Sequence, residues 1–224
     1  MSPDSMSSDP GKVRLYEAIG RVAAALGSAG RLQILELVAQ GARSVDTLAA
    51  MTGLSVANTS KHLQALRHAG LVHARKDGLR VFYSIAGDDV SLLLSALRGV
   101  AEHRTADVER LLRTWLAHRE ELEAVPAREL LARARKGLVT VLDVRPPEEY
   151  AAGHLPGAIN VPIEKLESYV SRLPKRKEVV AYCRGPYCLM SFDAVEKLRA
   201  RGFKARRLEN GFPEWRAAGL PVER

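Results

Sequence analysis

The chain has 224 residues, of which 46% are hydrophobic and 27% are charged, and its formal net charge at pH 7 is +8. This length suits two domains of ordinary size, each large enough to bury its own hydrophobic core. No terminal apolar stretch is typical of a signal peptide or a membrane-spanning helix, so we expect a cytoplasmic protein without a membrane partner. Residues 1–11 are polar and are expected to form a disordered N-terminus.

The charge is distributed unevenly along the chain. Residues 1–124 contain 15 Lys and Arg against 14 Asp and Glu, whereas residues 125–224 contain 19 against 12. The overall charge of the first half therefore gives little reason to expect nucleic-acid binding. Its local charge gives more, because residues 54–80 contain five Lys and Arg and a single acid, Asp77.

The first half predicts several helices in quick succession. Apolar residues recur at helical spacing in residues 16–26 and 32–39. Ser44 is expected to cap a short helix over residues 45–51, and a tight turn follows at residues 52–54. Ser55 is expected to cap the next helix, which ends at Ala69 before Gly70. Two helices joined by a glycine turn are typical of a helix-turn-helix.

Helical spacing divides the second of these two helices into two faces. The inward face contains Thr59, His62, Leu63 and Leu66. The outward face contains Ala57, Ser60, Lys61, Gln64 and His68, and we expect these residues to contact DNA. In a major groove Gln64 can bond an adenine edge, Ser60 can donate or accept, and Lys61 can bond a guanine or a phosphate. The alternative is a polar face that is simply solvated.

A β-hairpin is predicted directly after this helix. Residues 71–75 and 79–85 alternate as strands, and residues 76–78 between them contain an Asp-Gly turn signal. The hairpin is expected to form a wing with basic residues at its tip. Arg75, Lys76 and Arg80 would then reach backbone phosphates or the minor groove beside the helix.

The order of elements over residues 26–85, and the segment SKHLQALRHAGLV at residues 60–72, resemble the winged-helix repressors of the ArsR family. The resemblance implies a homodimer that binds a double-stranded DNA operator and leaves it on sensing a ligand. Residues 90–118 are predicted to form one long helix with more apolar surface than a lone linker helix needs, which supports a dimer. Its apolar residues are Leu93, Leu97, Val100, Val108, Leu111 and Trp115.

Many ArsR-type proteins sense metals, but this sequence does not predict a metal site or any other cofactor. The helix over residues 45–51 has no cysteine, which excludes the thiolate site that some relatives place there. Asp107, His118 and Glu121 match part of the site of the zinc-sensing relatives. A second histidine is missing, however, and Thr105 stands where an acid is needed.

A second domain is expected after Pro126, which should end the long helix. Residues 138–143 are predicted to form a buried strand in this domain. Asp143 and Arg145 at its end are expected to support the loop that contains the two cysteines. Arg145 and Glu149 are expected to form a structural ion pair.

Cys183 and Cys188 are the only cysteines of the chain and bracket one short loop. Residues 178–182 before the loop predict a buried parallel strand, and residues 189–201 after it predict a helix. Backbone N–H groups at such a junction bind anions, and a helix N-terminus lowers the pKa of a thiol. We therefore expect Cys183 to be reactive, and we expect the loop residues Arg184, Gly185 and Tyr187 to bind an anion.

Five segments in the second half together resemble a rhodanese domain over about residues 125–224. They are residues 143–145 (DVR), 148–150 (EEY), 153–162 (GHLPGAINVP), 183–188 (CRGPYC) and 211–215 (GFPEW). The resemblance implies a doubly wound α/β domain with a parallel sheet. It also implies that Cys183 carries a persulfide sulfur from a donor to an acceptor. The basic excess of this half either attracts anionic sulfur species or is an ordinary solvated surface.

Two residues of the loop depart from the ordinary transferase pattern. Pro186 has no N–H to donate to an anion, and Cys188 stands where many relatives have serine or arginine. Cys188 can attack a persulfide on Cys183 and form a disulfide or polysulfide bridge. The alternative is that Cys188 is only a small apolar residue at the start of a helix.

The sequence as a whole predicts a multidomain protein. A mainly α winged helix-turn-helix domain for DNA binding and dimerisation (12–119) is followed by a linker (120–127) and an α/β rhodanese-like domain (128–224). The predicted function is a transcriptional repressor that senses reactive sulfur, or another thiol-reactive signal, through Cys183 and Cys188. Its expected ligand is a small sulfur compound or an oxyanion. One alternative is a sulfurtransferase that the winged helix only locates or dimerises, and another is a binding or dimerisation module with inert thiols.

Overall fold

The computed structural model of the protein describes residues 9–116 and 124–224. The chain divides into two compact units, and the division falls between Gly87 and Asp88. Residues 1–8 of the predicted disordered terminus and residues 120–123 of the predicted linker lie outside the described residues. Within the described part, no helix is long and apolar enough to cross a membrane.

The first helix, α1 (Pro10–Leu26), begins earlier than the sequence analysis predicted. Asp9 is its N-cap, and the Asp9 carboxylate accepts a hydrogen bond from the Gly11 N–H at 2.9 Å. Proline suits the first helical position because its φ is fixed near the helical value and its missing N–H would have no partner there. Residues 10 and 11 are therefore helical and do not belong to a disordered tail.

The predicted helix-turn-helix is confirmed in the first unit. Its helices are α2 (Ala29–Val38), α3 (Val45–Thr52) and α4 (Val56–His68). Ser44 and Ser55 cap α3 and α4 by accepting hydrogen bonds from the N–H groups of Thr47 and Asn58, each at 3.2 Å. Gly70 follows α4 with a φ of 73°, the left-handed conformation that glycine adopts without steric cost. The buried core of the unit includes Ile34, Leu35, Val38, Leu48, Leu63 and Leu66.

A three-stranded antiparallel sheet completes the first unit. Its strands β1 (Arg43–Ser44), β2 (Val72–Asp77) and β3 (Arg80–Ile85) have the order β1-β3-β2. Asp77 lies opposite Arg80, so the turn of the wing is the pair Gly78 and Leu79, one residue shorter than predicted. Two-residue turns match the twist of paired strands, which lets Lys76 and Asp77 continue β2. The strand β1 is not evident from the sequence, because two residues are too few to show an alternating pattern.

Two helices, α5 (Asp88–Arg104) and α6 (Ala106–Leu116), replace the single long helix predicted over residues 90–118. The break is at Thr105, whose carbonyl oxygen accepts hydrogen bonds from the N–H groups of Val108 and Glu109 at 3.0 and 3.2 Å. Threonine is a weak helix former in helix interiors because its branched side chain loses rotamer freedom there. Residues 117 and 118 lie outside the described residues.

The helices α5 and α6 belong to the second compact unit. The sequence pattern predicted them as part of the winged-helix domain, within residues 12–119. In the structure, the Asp88 carboxylate at the start of α5 accepts a hydrogen bond from the Arg216 guanidinium at 2.7 Å. This contact is one of several that join α5 to the C-terminal part of the chain.

The remainder of the second unit is built on a parallel sheet, as predicted, and this sheet has five strands. Its strands β4 (Ala124–Val125), β5 (Val139–Asp143), β6 (Ile159–Asn160), β7 (Glu178–Tyr182) and β8 (Ala205–Leu208) have the order β4-β8-β7-β5-β6. Its helices are α7 (Ala127–Arg135), α8 (Pro147–Ala152), α9 (Leu166–Tyr169), α10 (Leu189–Ala200) and α11 (Phe212–Ala217). Residues 124–127 of the predicted linker thus form β4 and begin α7.

Both faces of this sheet are covered. Ala181 and Cys183 face one side, where they pack with Phe192, Val195 and Leu198 of α10. Val180 and Tyr182 face the other side, where they pack with Leu130 of α7 and Trp215 of α11. Successive residues of a strand point to opposite faces, so an uninterrupted apolar strand such as β7 requires cover on both. The cysteine loop begins where β7 leaves this core.

Candidate functional site

The two cysteines lie at the carboxyl end of the parallel sheet and form a disulfide. Cys183 directly follows β7 and is 1% exposed, and Cys188 is the half-buried N-cap residue of α10. Their Cα atoms are 6.2 Å apart. The Cys188 N–H donates to the carbonyl of Gly185 at 3.1 Å, which closes the loop as a turn. The predicted placement of both cysteines between a strand and a helix is confirmed.

Gly211 packs against the backbone of the cysteine loop. A Cβ atom added at Gly211 would lie 2.3 Å from the Gly185 nitrogen and 2.4 Å from the Arg184 carbonyl oxygen. The next residue, Phe212, donates its N–H to the Cys183 carbonyl at 3.1 Å. Only glycine fits at position 211 without displacing the loop backbone, so this contact fixes the loop against the start of α11.

The predicted anion-binding side chains are bound to carboxylates of the chain itself. The Arg184 guanidinium donates to Glu149, with its Nη2 2.7 Å from Oε1, and the Glu149 side chain is fully buried. The Tyr187 hydroxyl donates to the Glu102 carboxylate. Gly185 is buried against Gly211. Any anion at the sulfur atoms would therefore meet the loop backbone. Glu102 was not predicted as a partner of the loop, because it lies 85 residues from Tyr187 in the sequence.

In the other unit, α4 and the wing present most of the predicted DNA-binding residues to solvent. Ala57, Lys61, Gln64 and His68 are exposed, and Ser60 is half-buried. On the opposite face Thr59, Leu63 and Leu66 are buried, whereas His62 is half-buried beside Gly30. The wing residues Arg75, Lys76 and Arg80 are also exposed, and Arg75 lies 3.4 Å from the Asp77 carboxylate. The eight predicted contacts thus lie on two elements of one unit.

Comparison with known proteins matches both halves of the chain. The sequence profile of the bacterial regulatory protein arsR family matches residues 28–74, and that of the rhodanese-like domain matches residues 126–218. The HTH-type transcriptional regulator Rv0324 of Mycobacterium tuberculosis is 46% identical over 212 residues, which are 95% of this chain and 93% of the relative. The chain belongs to the ArsR-type transcriptional regulators with a C-terminal rhodanese-like domain. Both resemblances drawn from the sequence are confirmed.

Other similarities of this ArsR-type regulator cover one half each. A sulfurtransferase of Allochromatium vinosum is 33% identical over 85 residues, which are 38% of this chain and 78% of the relative. A solution structure of the homodimeric winged helix-turn-helix DNA-binding domain (fragment 1–100) of Mb0332 from Mycobacterium bovis is 41% identical. It covers 44% of this chain and 92% of that fragment, with a TM-score of 0.41.

A buried polar network in the rhodanese-like domain of the regulator joins the ends of β5 and β7. Arg145 donates to Asp143 at 2.6 Å and to the Gly153 carbonyl at 2.8 Å, and the Tyr182 hydroxyl also donates to Asp143. Burial alone would lower the pKa of Arg145, but its hydrogen bond with Asp143 and the charge of Asp143 raise it overall. Burial and the Asp143 charge hold the pKa of Tyr182 well above its ordinary value.

This network revises the predicted pairing of Arg145 with Glu149. Asp143 is the main partner of Arg145, and Glu149 contributes a smaller Coulombic effect to the pKa of Arg145. Glu149 instead bonds the Arg184 side chain on the cysteine loop. Arg145 thus bonds Asp143 at the end of β5, and Glu149 bonds Arg184 on the cysteine loop.

Helices α5 and α6 of the regulator contact the cysteine loop directly. The Tyr187 ring lies against the Trp115 ring, with centroids 6.3 Å apart and planes tilted by 53°. Arg98 on α5 forms an ion pair with Glu214, whose carboxylate also accepts the Gly211 N–H at 3.0 Å. The loop is therefore linked to α5 by two sets of contacts. Tyr187 bonds Glu102 on α5, and Gly211, which packs against the loop, bonds Glu214, the ion-pair partner of Arg98.

An apolar groove of about 660 Å³ lies between α6 and Tyr187. Its lining residues are Val108, Leu111, Leu112, Thr114, Trp115 and Tyr187. Leu111 and Trp115 are 67% and 52% exposed, and Leu97 and Val100 on α5 are also exposed. The apolar stripe predicted for dimerisation is thus present on the surface of this unit.

No metal-binding arrangement is found among residues 9–116 and 124–224. There, no group of three or more His, Cys, Asp or Glu side chains is placed to bind a metal ion. His118 and Glu121 of the partial zinc pattern lie outside the described residues.

Proposed function

We propose that the regulator is a homodimeric repressor whose rhodanese-like domain senses reactive sulfur through Cys183 and Cys188. The observation that carries this proposal is the pair of cysteines itself. Cys183, the residue that we propose carries a persulfide, forms a disulfide with Cys188, and their Cα atoms are 6.2 Å apart. An ordinary sulfur carrier needs only the first of these thiols.

The chemistry of the proposed sensing needs two thiolates and one sulfur donor. The Cys183 thiolate attacks one sulfur of a polysulfide such as HS–SH, the donor S–S bond breaks, and hydrosulfide leaves. Cys183 then carries a persulfide. The Cys188 thiolate attacks the Cys183 Sγ, a disulfide forms, and a second hydrosulfide leaves. Two thiols are oxidised by two electrons and the donor is reduced to two hydrosulfides, while the thiol protons pass to solvent.

DNA binding in this proposal depends on α4 and the wing. Ser60, Lys61 and Gln64 would meet base edges in the major groove, with Ala57 and His68 beside them. Arg75, Lys76 and Arg80 would contact phosphates or the minor groove. Exposure of the apolar residues on α5 and α6 supports a homodimer, since a second copy would cover them.

Signal transmission in this proposal uses the contacts of the loop with α5 and α6. Closing the disulfide would restrict Tyr187, which bonds Glu102 on α5, and Gly185, which packs against Gly211. Gly211 in turn bonds Glu214, the ion-pair partner of Arg98 on α5. A difference of a few kcal/mol between the bridged and reduced forms is enough to change the balance between two states of the dimer. We propose that the bridged form has the weaker affinity for DNA.

The test compares operator binding by the reduced parent, Cys183→Ser and Cys188→Ser proteins, each with and without polysulfide. The parent should lose affinity on treatment, and Cys183→Ser should bind as the untreated parent does in both conditions. Cys188→Ser should gain a persulfide on Cys183 by mass spectrometry but show no bridge and no change in affinity. A parent protein whose affinity does not change on treatment would falsify the sensing mechanism.

A second candidate function is sulfur transfer to an outside acceptor. It is favoured by the similarity of 85 residues of the chain to a sulfurtransferase and by the rhodanese-like domain over residues 126–218. In that case Cys183 is essential for turnover, Cys188 is dispensable, and DNA occupancy is independent of both. Steady turnover with thiosulfate and cyanide, together with an unresponsive operator complex, would favour this enzyme over the sensor.

A further inference from the structure

Six exposed basic residues line the edge of the parallel sheet that lies opposite the cysteine loop. The strands β8, β7 and β5 are neighbours, and the chain enters each of them through a basic segment. Lys204 precedes β8, and the other segments contain Lys175, Arg176 and Lys177 before β7, and Arg135 and Lys136 before β5. We call these six residues the basic rim. Because parallel strands all begin at the same edge, the rim is one surface.

Contacts between the three segments confirm that they adjoin. The Val179 N–H donates to the Lys204 carbonyl at 2.8 Å. The Lys177 ammonium lies 3.9 Å from the position that a Cβ atom on Gly137 would occupy. The rim therefore crosses three adjacent strands, or about 10 Å of sheet edge, since neighbouring strands are about 4.8 Å apart.

The acid beside the rim does not neutralise it. Glu178 follows Lys177, but its side chain is only 16% exposed and is bound by Arg133 and Arg206. Burial would raise the pKa of Glu178, but hydrogen bonds from Arg133 and Arg206 lower it overall. The Glu178 carboxylate is therefore ionised and paired with Arg133 and Arg206. Its charge does not offset that of the rim, whose six side chains are exposed to solvent.

The position of the rim argues against the interpretation that the basic excess in this half attracts sulfur anions to the cysteines. Cys183 lies at the far end of β7, which has five residues and is about 16 Å long. The Debye length at physiological ionic strength is about 8 Å, so the rim is largely screened from the sulfur atoms. Attraction of small anions to the cysteines thus does not account for these residues, and their charge is available to a partner that meets the rim itself.

We propose that the basic rim contacts phosphates of duplex DNA outside the base pairs that the winged helix reads. Duplex DNA carries about one negative charge per 1.7 Å of its axis, and Lys and Arg side chains are its usual phosphate partners. Phe203, which precedes Lys204, is only 5% exposed, and its ring faces the Lys175 ammonium, so a single-stranded base cannot stack on it and the backbone of a duplex suits the rim better. This inference goes beyond sulfur sensing and rests only on the DNA-binding part of the proposed function.

The experiment measures binding of the full-length protein to an operator duplex selected from a random-sequence library. Two duplexes are compared, one limited to the selected operator and one extended on both sides. The rim variant is Lys175→Gln/Arg176→Gln/Lys177→Gln. The matched control is Arg128→Gln/Lys165→Gln/Arg224→Gln, which removes the same charge from exposed positions outside the rim. Equal melting temperatures of the three proteins would show that folding is intact.

The parent should bind the extended duplex more tightly than the duplex limited to the operator. Its log K for the extended duplex should also depend more steeply on log salt concentration. The rim variant should lose that advantage, and its slope should fall by about 0.9 for each phosphate contact removed. The control variant should keep both. Equal slopes for the rim and control variants, or a parent that gains nothing from flanking duplex, would overturn the proposal. A parent that selects no operator at all would contradict the proposed function as well, so the two failures are distinguishable.

Discussion

Replacement of Tyr187 by phenylalanine should weaken the coupling between the cysteine loop and α5 while both cysteines remain in place. Tyr187 immediately precedes Cys188, and its hydroxyl donates a hydrogen bond to Glu102 on α5. Its ring lies 6.3 Å from the Trp115 ring, and phenylalanine keeps that aromatic contact. The substitution therefore removes the polar contact selectively.

The size of the expected effect follows from the strength of this hydrogen bond. A hydrogen bond to a charged group contributes about 1.5–3 kcal/mol net. If the bond forms in only one state of the loop, its loss changes the ratio of DNA affinities of the two states by at most that amount. Since about 1.4 kcal/mol corresponds to a factor of ten, the ratio should fall by about 10-fold and at most by about 150-fold.

Fluorescence anisotropy with a labelled operator measures this ratio for reduced and polysulfide-treated protein. Tyr187→Phe and Glu102→Ala should each lower the ratio, and the double variant should lower it no further, because both changes remove the same contact. Tyr169→Phe removes a hydroxyl elsewhere in the same unit and should leave the ratio unchanged. A Tyr187→Phe protein that responds to polysulfide as fully as the parent would refute the proposed route.

Three further outcomes test other parts of the structure. Gln64→Ala should weaken operator binding by about 1–3 kcal/mol. Lys76→Ala should lower the slope of log K against log salt concentration by about 0.9. Gel-shift titrations that show neither change would reject the assignment of α4 and the wing to the DNA grooves. Leu97→Glu should convert the dimer into monomers in sedimentation, because the substitution places a charge at the apolar contact; a monomeric parent would reject the dimer. Asp143→Ala should lower the free energy of unfolding by about 3–5 kcal/mol in urea titrations, because it leaves the Arg145 charge buried without its main partner. A much smaller loss would show that this pair is not buried as described.

The sequence predicts well those features that local chemistry determines. Ser44 and Ser55 cap their helices through side-chain bonds to N–H groups three residues later, and Gly70 takes a left-handed conformation, as expected. The strand β7 and the start of α10 are also confirmed, because an uninterrupted apolar run followed by helical spacing indicates both. Each of these signals lies within a few residues of the element that it specifies.

The sequence predicts poorly those features that depend on partners far apart in the chain. Tyr187 and Glu102 are 85 residues apart, and Arg184 and Glu149 are 35 apart, so no spacing rule connects them. The charge of Arg145 indicated an ion pair but not which of the nearby acids would be its main partner. The break at Thr105 was missed for a different reason, since the apolar stripe continues across it and outweighs a single weak helix former.

The position of Cys188 bears on whether the loop suits a switch or a turnover catalyst. A persulfide on Cys183 must survive until an outside acceptor arrives if sulfur is to be transferred. In this loop a second thiol is held within disulfide reach, and a short tether alone gives an effective concentration in about the millimolar range, or more where the groups are well oriented. An outside acceptor has no such tether to Cys183 and must reach it by diffusion. In the proposed mechanism we therefore expect internal attack by Cys188 to be the faster fate of the persulfide, and this attack ends in the bridged loop that contacts α5 and α6.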